Sequence, residues 1–198
     1  MGEVCEKFQY GSSTKSLDEG AVPVLRMGNI QNGKIVWDKL KYSNNREENE
    51  KFLLKKNNIL FNRTNSAELV GKTAIFKEDI IAIFAGYLIR IELDRKVLNA
   101  DYLNFYLNSR EIRNYGFSVM CSSVNQANIN ASKLKAYKIR IPSIIKQDQI
   151  AQELLIYQDM LIELNLSYCN KKDSLEELKK SILQKAFTGE LTQKDAVL

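Results

Sequence analysis

Residues 150–182 read IAQELLIYQDMLIELNLSYCNKKDSLEELKKSI, and no glycine or proline interrupts the chain between Pro142 and Gly189. Alternate steps of four and three residues from Ile150 select ten positions, of which nine are apolar. This spacing is typical of the a and d positions of a coiled coil. The ten positions are Ile150, Leu154, Tyr157, Leu161, Leu164, Tyr168, Lys171, Leu175, Leu178 and Ile182. We predict one long helix, from about Lys146 to Lys185, whose nine apolar positions mediate dimerisation.

A helix of this length needs a partner to cover its apolar seam. At 1.5 Å per residue it is about 60 Å long, and the preceding part of the chain is too small to cover it. Lys171 lowers the stability of the seam but helps to fix its register. The alternative is that the helix packs only on its own domain.

The rest of the chain has the composition of an ordinary globular domain. The 198 residues are 44% hydrophobic and 27% charged, which suits a single core plus an appendage. No apolar run approaches the ~20 residues that cross a bilayer, and Met1 to Tyr10 carries charged residues where a signal peptide is apolar. We therefore expect a cytoplasmic protein.

Residue usage argues against catalysis by this chain. Histidine is absent, which removes the usual general base near neutral pH and the commonest metal ligand. Cys5, Cys121 and Cys169 are widely spaced and form no CxxC pair, so they favour neither a disulfide framework nor a zinc site. We expect no catalytic residues, no metal site and no cofactor bound by this chain.

Two short motifs nevertheless resemble catalytic sequences. Gly71-Lys72-Thr73 matches the end of a phosphate-binding loop, but that pattern requires glycine where this chain has Ser66. Asp94-Arg95-Lys96 matches the D-x-K fragment of metal-dependent nucleases. The alternative for this fragment is a polar turn after a strand that ends at Leu93.

The positive charge is concentrated before the long helix. Seven lysines and nine acidic residues lie from Lys146 to the end, a net charge of −2. The whole chain carries +5, so residues 1–145 carry +7. This distribution suits a domain that binds a polyanion, although a solvated surface with surplus lysine gives the same count.

The N-terminal part alternates short apolar stretches with turn residues, which predicts strands and a few helices. Asn32-Gly33 is a hairpin signal between the two flanking strands. We expect a helix capped by Asp101 that extends past Ile112 to Tyr115. The predicted strands are Val22–Met27, Lys34–Trp37, Ile59–Phe61, Lys72–Phe76, Ile80–Phe84, Tyr87–Leu93 and Ala136–Ile141. The fold class is therefore α+β, a compact mixed α/β domain followed by one long C-terminal coiled-coil helix.

Two segments rich in amide side chains are candidates for reading DNA. They are residues 62–66 and 122–130, which contain clustered Asn, Gln and Arg. Asn and Gln can make paired hydrogen bonds to adenine, and Arg can make them to guanine. The candidate residues are Asn62, Arg63, Asn65, Lys72, Ser123, Asn125, Gln126 and Asn128. Turn and cap chemistry is the alternative explanation for so many asparagines.

Four stretches together resemble the DNA specificity subunits of type I restriction-modification systems. They are VPVLRMGNIQNGKI at 22–35, NILFNR at 58–63, SVNQANIN at 123–130 and LKKSILQKAFTGEL at 178–191. The last is similar to the end of the family's conserved helix. The chain departs from the family at Asn58, where Asp is usual, at Pro142-Ser143, where two prolines are frequent, and at Lys146, where an acidic residue is frequent.

The resemblance implies a target-recognition domain at 1–145, a long dimerisation and spacer helix at 146–188 and a tail at 189–198. It implies double-stranded DNA and methyltransferase subunits as partners, with a restriction or motor subunit as a further one. S-adenosylmethionine, ATP and magnesium are expected on those partners. A full family subunit resembles two such units in tandem with antiparallel helices, so one unit is either a half-subunit that forms a homodimer or a fragment.

Two alternatives remain open from the sequence. A coiled-coil transcriptional regulator would use the same basic domain and the same seam without methyltransferase partners. A nuclease would use Asp94 and Lys96.

Overall fold

The computed structural model describes residues 1–123 and 126–191. The chain divides into two units, a compact one from Met1 to Ala151 and a second from Gln152 to Leu198. Among the described residues the strands are β1 (Cys5–Tyr10), β2 (Val22–Leu25), β3 (Ile30–Gln31), β4 (Lys34–Ile35), β5 (Lys41–Ser43), β6 (Ile59–Asn62), β7 (Thr64–Asn65), β8 (Thr73–Ile75), β9 (Ile83–Phe84), β10 (Leu88–Leu93), β11 (Cys121–Ser123) and β12 (Gln126–Asn128). The α-helices of the same residues are α1 (Arg46–Lys51), α2 (Ala100–Asn108), α3 (Arg110–Val119), α4 (Ala131–Lys135) and α5 (Ile144–Phe187). The α+β class with a long C-terminal helix is confirmed.

The largest sheet is antiparallel and has a hydrophobic core on both faces. Its strand order is β1-β10-β6-β8. Ile59 and Phe61 of β6 belong to one buried cluster, whereas Leu60 belongs to another. Alternate residues of a strand point to opposite faces, so the sheet separates the two clusters. A strand buried on both faces needs apolar residues without alternation, which explains why the β6 sequence is ILFN.

Different elements cover the two faces of this sheet. Helices α2 and α3 contribute Leu103 and Ile112 to the cluster that contains Phe61. On the other face, β2 and β9 contribute Leu25 and Phe84 to the cluster that contains Leu60. Each such side chain stabilises the fold by about 1.5–3 kcal/mol when it is fully buried. The compact unit is therefore a layered structure with β6 at its centre.

The predicted turn at Asn32-Gly33 is confirmed, but the predicted partner strand is wrong. Both residues have positive φ, 49° and 78°, as the two-residue turn requires. The turn joins β3 to β4, with Ile30 opposite Ile35. Strand β2 pairs instead with β5 and, in parallel, with β9. A short 3-10 helix at Met27–Asn29 separates β2 from the hairpin.

The predicted strand Ile80–Phe84 is shorter than expected. Only Ile83 and Phe84 pair, in β9. Ile80 and Ile81 precede the pairing and are exposed. Apolar character alone therefore overestimated the length of this strand.

The helix predicted from Asp101 to Tyr115 is two helices. Asn99, not Asp101, caps α2, because its Oδ1 accepts from the Tyr102 backbone N–H at 2.9 Å. Ser109 then adopts an extended conformation, φ −64° and ψ 153°, and its Oγ accepts from the Ile112 N–H at 3.5 Å. One serine thus ends α2 and begins α3.

The predicted strand Ala136–Ile141 is wrong. This segment forms no strand, because its backbone groups have other partners. The Tyr137 carbonyl accepts from the Met1 amine at 2.7 Å, and the Arg140 carbonyl accepts from the Tyr102 hydroxyl at 2.8 Å. Near the start of the chain, β1 was not predicted from the sequence, and it pairs with β10.

Helix α5 confirms the predicted long helix. Its 44 residues make it about 66 Å long. Gln147 is fully buried in its first turns, where its Nε2 donates to the Val97 and Pro142 carbonyls and its Oε1 accepts from the Asn99 N–H, all at 2.9 Å. These bonds lie within the compact unit, to which α5 belongs as far as Ala151. In the described part of the chain, no helix has both the length and the apolar character needed to cross a membrane.

The substitution Tyr137→Phe tests a buried hydroxyl group that has no hydrogen-bond partner among the described residues. The pKa of Tyr137 is raised to about 12, mainly by burial and also by the neighbouring Tyr115, while Arg113 acts in the opposite direction. A folded-state pKa above the ordinary value of about 10 stabilises the protein below pH 10, and this stability is lost as the pH rises towards 12. We expect Tyr137→Phe to leave the free energy of unfolding near pH 8 unchanged or to raise it by about 1 kcal/mol. Between pH 10 and 12 the variant should lose less of this free energy than the wild-type protein does.

Urea unfolding followed by the fluorescence of Trp37, the single tryptophan, measures both effects. Tyr87→Phe, at an exposed position in the compact unit, is the matched control and should follow the wild-type pH dependence. Parallel pH profiles for Tyr137→Phe and the control would contradict the prediction.

Candidate nucleic-acid interface

The two predicted DNA-reading segments lie side by side in the structure. Strand β7 pairs antiparallel with β12, so that Asn65 is opposite Ala127 and Asn128 is opposite Thr64. The Asn128 Nδ2 donates to the Thr64 Oγ1 at 2.6 Å. Strand β11 extends the same small sheet beyond β12. Segments more than 60 residues apart in sequence therefore form one surface.

The predicted contact residues differ in their exposure to solvent. Ser123 and Gln126 are exposed, and the Ser123 Oγ donates to the Gln126 carbonyl at 3.0 Å. Four others are half-buried: Arg63, Asn65, Lys72 and Asn128. Asn62 is only 1% exposed, and Asn125 lies outside the described residues. The exposed polar groups of this sheet therefore come mainly from its β11–β12 side.

Arg63 is held by two interactions at the start of β7. Its guanidinium carbon lies 4.7 Å from the centroid of the Tyr10 ring, and its Nη1 donates to the Gly86 carbonyl at 3.2 Å. The Tyr10 hydroxyl accepts from the Ala131 N–H at 2.9 Å. Arg63 thus links β1 to the small sheet. Tyr10 was not predicted as part of the interface, because nothing in the sequence indicates this stacking.

The turn between Asn62 and Lys72 is closed by backbone hydrogen bonds and clamped from outside. The Asn62 N–H donates to the Lys72 carbonyl at 2.8 Å, and the Gly71 N–H donates to the Asn62 carbonyl at 2.7 Å. Gly71 has φ 83°, a conformation that favours glycine. Arg113 of α3 donates to the Val70 carbonyl and, at 2.6 Å, to the Glu68 carbonyl.

Burial lowers the pKa of Arg113, and the neighbouring Tyr137 opposes this shift. An arginine titrates so far above neutrality that it keeps its charge. The clamp on the turn is therefore a pair of charge-assisted hydrogen bonds, which are stronger than neutral ones.

Three predicted residues, Asn62, Asn65 and Lys72, line a cleft of about 550 Å³ opposite the β3–β4 hairpin. The other residues that line it are Arg26, Met27, Gly28, Ile30, Gln31, Asn32, Leu69 and Tyr87. None of these eight was predicted from the sequence as a contact residue. The polar Gln31-Asn32 pair at a hairpin turn was the one available signal, since exposed turn residues are frequent binding residues.

The two motifs that resembled catalytic sequences have structural explanations. The Asp94 Oδ1 accepts from the Lys96 N–H at 2.9 Å, which closes the turn between β10 and α2. Thr73 is buried in β8, where its Oγ1 donates to the Asn104 Oδ1 at 2.8 Å, so no helix begins after Gly71-Lys72. Across the described residues, no cluster of acidic, histidine or cysteine side chains has the arrangement of a metal site.

The seam predicted for dimerisation is exposed along most of α5. Ile150 is half-buried, whereas the remaining eight apolar positions are 37–66% exposed. These eight are Leu154, Tyr157, Leu161, Leu164, Tyr168, Leu175, Leu178 and Ile182. An exposed apolar stripe of this length, interrupted at Lys171, marks an interaction surface.

Part of α5 carries a second apolar face, which we call the outer face. It consists of Leu155, Ile162, Leu166 and Cys169, spaced seven, four and three residues apart. Ile162 and Leu166 are 52% and 62% exposed. Because the two stripes lie on different sides of the helix, a single helical partner on the seam leaves the outer face uncovered.

Comparison with known proteins gives a consistent result. Residues 1–177 match the family model described as type I restriction modification DNA specificity domain. The chain is 28% identical over 192 residues to the putative type I restriction enzyme MjaX specificity subunit of Methanocaldococcus jannaschii, covering 95% of this chain and 44% of that protein. It is 29% identical to the StySPI specificity subunit of Salmonella potsdam, covering 90% and 39% respectively. The chain therefore spans less than half the length of these curated relatives.

Solved structures show the same fold. The HsdS subunit of Thermoanaerobacter tengcongensis matches with a TM-score of 0.63 at 20% identity, over 95% of this chain and 44% of that one. A chain from a structural study of complex assembly and conformational transition of the type I R-M system matches with a TM-score of 0.69 at 19% identity, over 94% and 44% respectively. At these identities the likeness concerns the fold.

The substitution Arg113→Ala tests whether this arginine holds the 62–72 turn. Without its bonds to the Val70 and Glu68 carbonyls, the turn should open more often, so we expect faster amide hydrogen exchange in residues 66–72. Arg110→Ala, at an exposed position on the same helix, is the control and should leave this exchange unchanged. Equal exchange in both variants, measured by mass spectrometry, would show that the backbone bonds alone hold the turn.

Proposed function

The chain belongs to the family of type I restriction-modification DNA specificity domains, and we infer that it supplies such a system with its DNA sequence specificity. One observation carries this proposal. The β7–β12 pairing brings the two amide-rich segments together in a domain whose residues carry a net charge of +7 up to position 145. Positive charge attracts the phosphate backbone, whereas amide side chains read base edges. The family match favours this function over that of a coiled-coil regulator.

The chain corresponds to less than half of its curated relatives, and we propose a half-subunit role for it. Its relatives are more than twice as long, and the match covers nearly all of this chain. We propose that one copy carries one recognition domain and reads one half of a two-part target. Because that target is chromosomal DNA, the protein would act in the cytoplasm.

The proposed role is recognition without catalysis. The relatives are named specificity subunits. This supports a role in which the chain recognises the DNA target and other subunits catalyse the reactions. Methyltransferase subunits would bind S-adenosylmethionine and modify the target adenine, and a restriction subunit using ATP and magnesium would be a further partner. None of these cofactors is assigned to this chain.

A homodimer through α5 would complete the target-reading unit. The exposed seam is apolar at eight of the nine positions from Leu154 to Ile182, which is the pattern of a helix that pairs with another. In a two-fold dimer the same surface of both copies forms the interface. Two copies then supply the two recognition domains of a full subunit.

Lys171 favours antiparallel pairing of the two helices. In a parallel pair, each d position faces its own equivalent, so two Lys171 ammonium groups would meet inside the seam. In an antiparallel pair that aligns Ile150 with Ile182 of the second copy, Lys171 faces Leu161 instead. A single buried or partly buried charge is costly, but two like charges together cost more.

The double substitution Leu164→Asp and Leu175→Asp tests the dimer, because in the antiparallel pair both positions face apolar residues of the second copy rather than Lys171. Four carboxylates in a desolvated seam should destabilise the pair by several kcal/mol, so we expect monomers at micromolar concentration by light scattering. The fluorescence of Trp37, which lies in the compact unit, should not change. An unaltered dimer mass would contradict the assignment of the seam.

The matched control for the dimer is Ile162→Asp with Leu166→Asp on the outer face. This variant carries the same number of new charges, but it should remain dimeric. We propose that the outer face binds a methyltransferase subunit, so the control variant should fail to co-purify with that subunit. Full co-purification would show that the subunit docks elsewhere.

Methylome sequencing tests the proposed function directly. In a host that expresses only this specificity chain and its methyltransferase subunit, we expect methylation of an interrupted palindrome. A two-fold dimer presents identical domains to inverted half-sites, whose centres should lie about 34 Å apart or slightly more. An asymmetric two-part motif would contradict the homodimer, and the absence of a sequence-specific motif would contradict the specificity function.

A further inference from the structure

The cleft between the β3–β4 hairpin and the 62–72 turn, which we call the reading cleft, has two fixed walls. On the hairpin side, the buried Asn29 donates through Nδ2 to the Val36 and Asp38 carbonyls at 2.9 and 3.0 Å. Its Oδ1 accepts from the Arg26 N–H at 2.9 Å. The turn of the hairpin is held separately, because the Asn104 Nδ2 donates to the Gly33 carbonyl at 2.9 Å.

The opposite wall is equally constrained. Arg113 holds the turn at the Val70 and Glu68 carbonyls, as described above. A cleft with both walls fixed before binding presents its polar groups without a further cost of ordering them. The reading cleft is therefore a preorganised site.

Gln31 is an exposed amide on the hairpin wall, next to the exposed Asn32 of the turn. Its Nε2 donates to the Gly28 carbonyl at 3.0 Å, which fixes the plane of the side-chain amide. One hydrogen of Nε2 is used in this bond, whereas the second hydrogen and Oε1 have no partner among the described residues. The side chain thus keeps one donor and one acceptor available.

Asn62 adds a second unsatisfied acceptor to the same cleft. The side chain is 1% exposed, and its Oδ1 has no partner in the described part of the chain. Its Nδ2 is directed to the Leu69 carbonyl at 3.4 Å. Unpartnered acceptors in the cleft favour a ligand that offers an amino group. In the major groove, adenine and cytosine present an amino group, whereas guanine and thymine do not.

We propose that Gln31 reads an adenine of the half-site, with its Oε1 accepting from adenine N6 and its free Nε2 hydrogen donated to N7. The proposal rests on the proposed function, since it concerns a base in the DNA target. An amide with one donor and one acceptor matches this base and no other in a paired contact. The cation of Lys72, on the facing wall, is available for a neighbouring phosphate group.

The experiment selects DNA from a library with randomised half-sites, using the full chain together with its methyltransferase subunit. Wild-type protein should enrich a motif that contains a strongly preferred adenine. Gln31→Ala should relax the preference at one adenine by about 10- to 100-fold, as expected for the loss of a paired contact, and leave the other positions unchanged. Gln31→Glu should shift the preference there towards cytosine, whose N4 donates to a carboxylate.

Gln152→Ala, on exposed helix α5, is the matched control and should select the wild-type motif. Thermal unfolding of all variants identifies any loss of fold, and Gln31→Glu keeps the shape of the side chain if Gln31→Ala proves unstable. Selection of the wild-type motif by both Gln31 variants, or relaxation at a base other than adenine, would overturn the proposal. If wild-type protein enriches no motif at all, the proposed function fails as well.

Discussion

The burial of β6 on both of its faces is the constraint on which the compact unit depends. Because Ile59, Leu60 and Phe61 alternate between two cores, neither face of the central sheet can move without disturbing both. The chain leaves this strand at Asn62 and enters β7 two residues later. The candidate interface is thus a direct continuation of the most buried strand, which gives its residues a fixed position.

The elements that the sequence predicted well are those set by local chemistry. Asn32-Gly33 specifies its turn because few other residue pairs adopt two positive φ angles. The partners of β2 were predicted wrongly because strand pairing is decided by contacts far apart along the chain, here with β9 about 60 residues later. Residues 136–141 have the alternation of a strand, yet two backbone carbonyls of this segment accept hydrogen bonds from the Met1 amine and the Tyr102 hydroxyl. These carbonyls therefore do not pair with a neighbouring strand.

The candidate interface could be predicted in part for the same reason. Asn65 and Asn128 were selected by residue type, and tertiary pairing places them on adjacent strands. Residue type could not distinguish Asn62, which is buried, from the half-buried Asn65 and Asn128. It also could not identify the hairpin wall of the cleft or the Arg113 clamp, because an arginine on an amphipathic helix is ordinarily a surface residue. These features arise from packing between distant segments.

Helix α5 divides into two parts that differ in the number of apolar faces. Between Leu154 and Cys169 it is apolar on the seam and on the outer face, whereas from Lys171 to Ile182 the seam alone is mainly apolar. A helix that is apolar nearly all round requires burial on more than one side. One helical partner can satisfy the second part but not the first. The apolar surface of the first part is therefore covered only when contacts form on both the seam and the outer face.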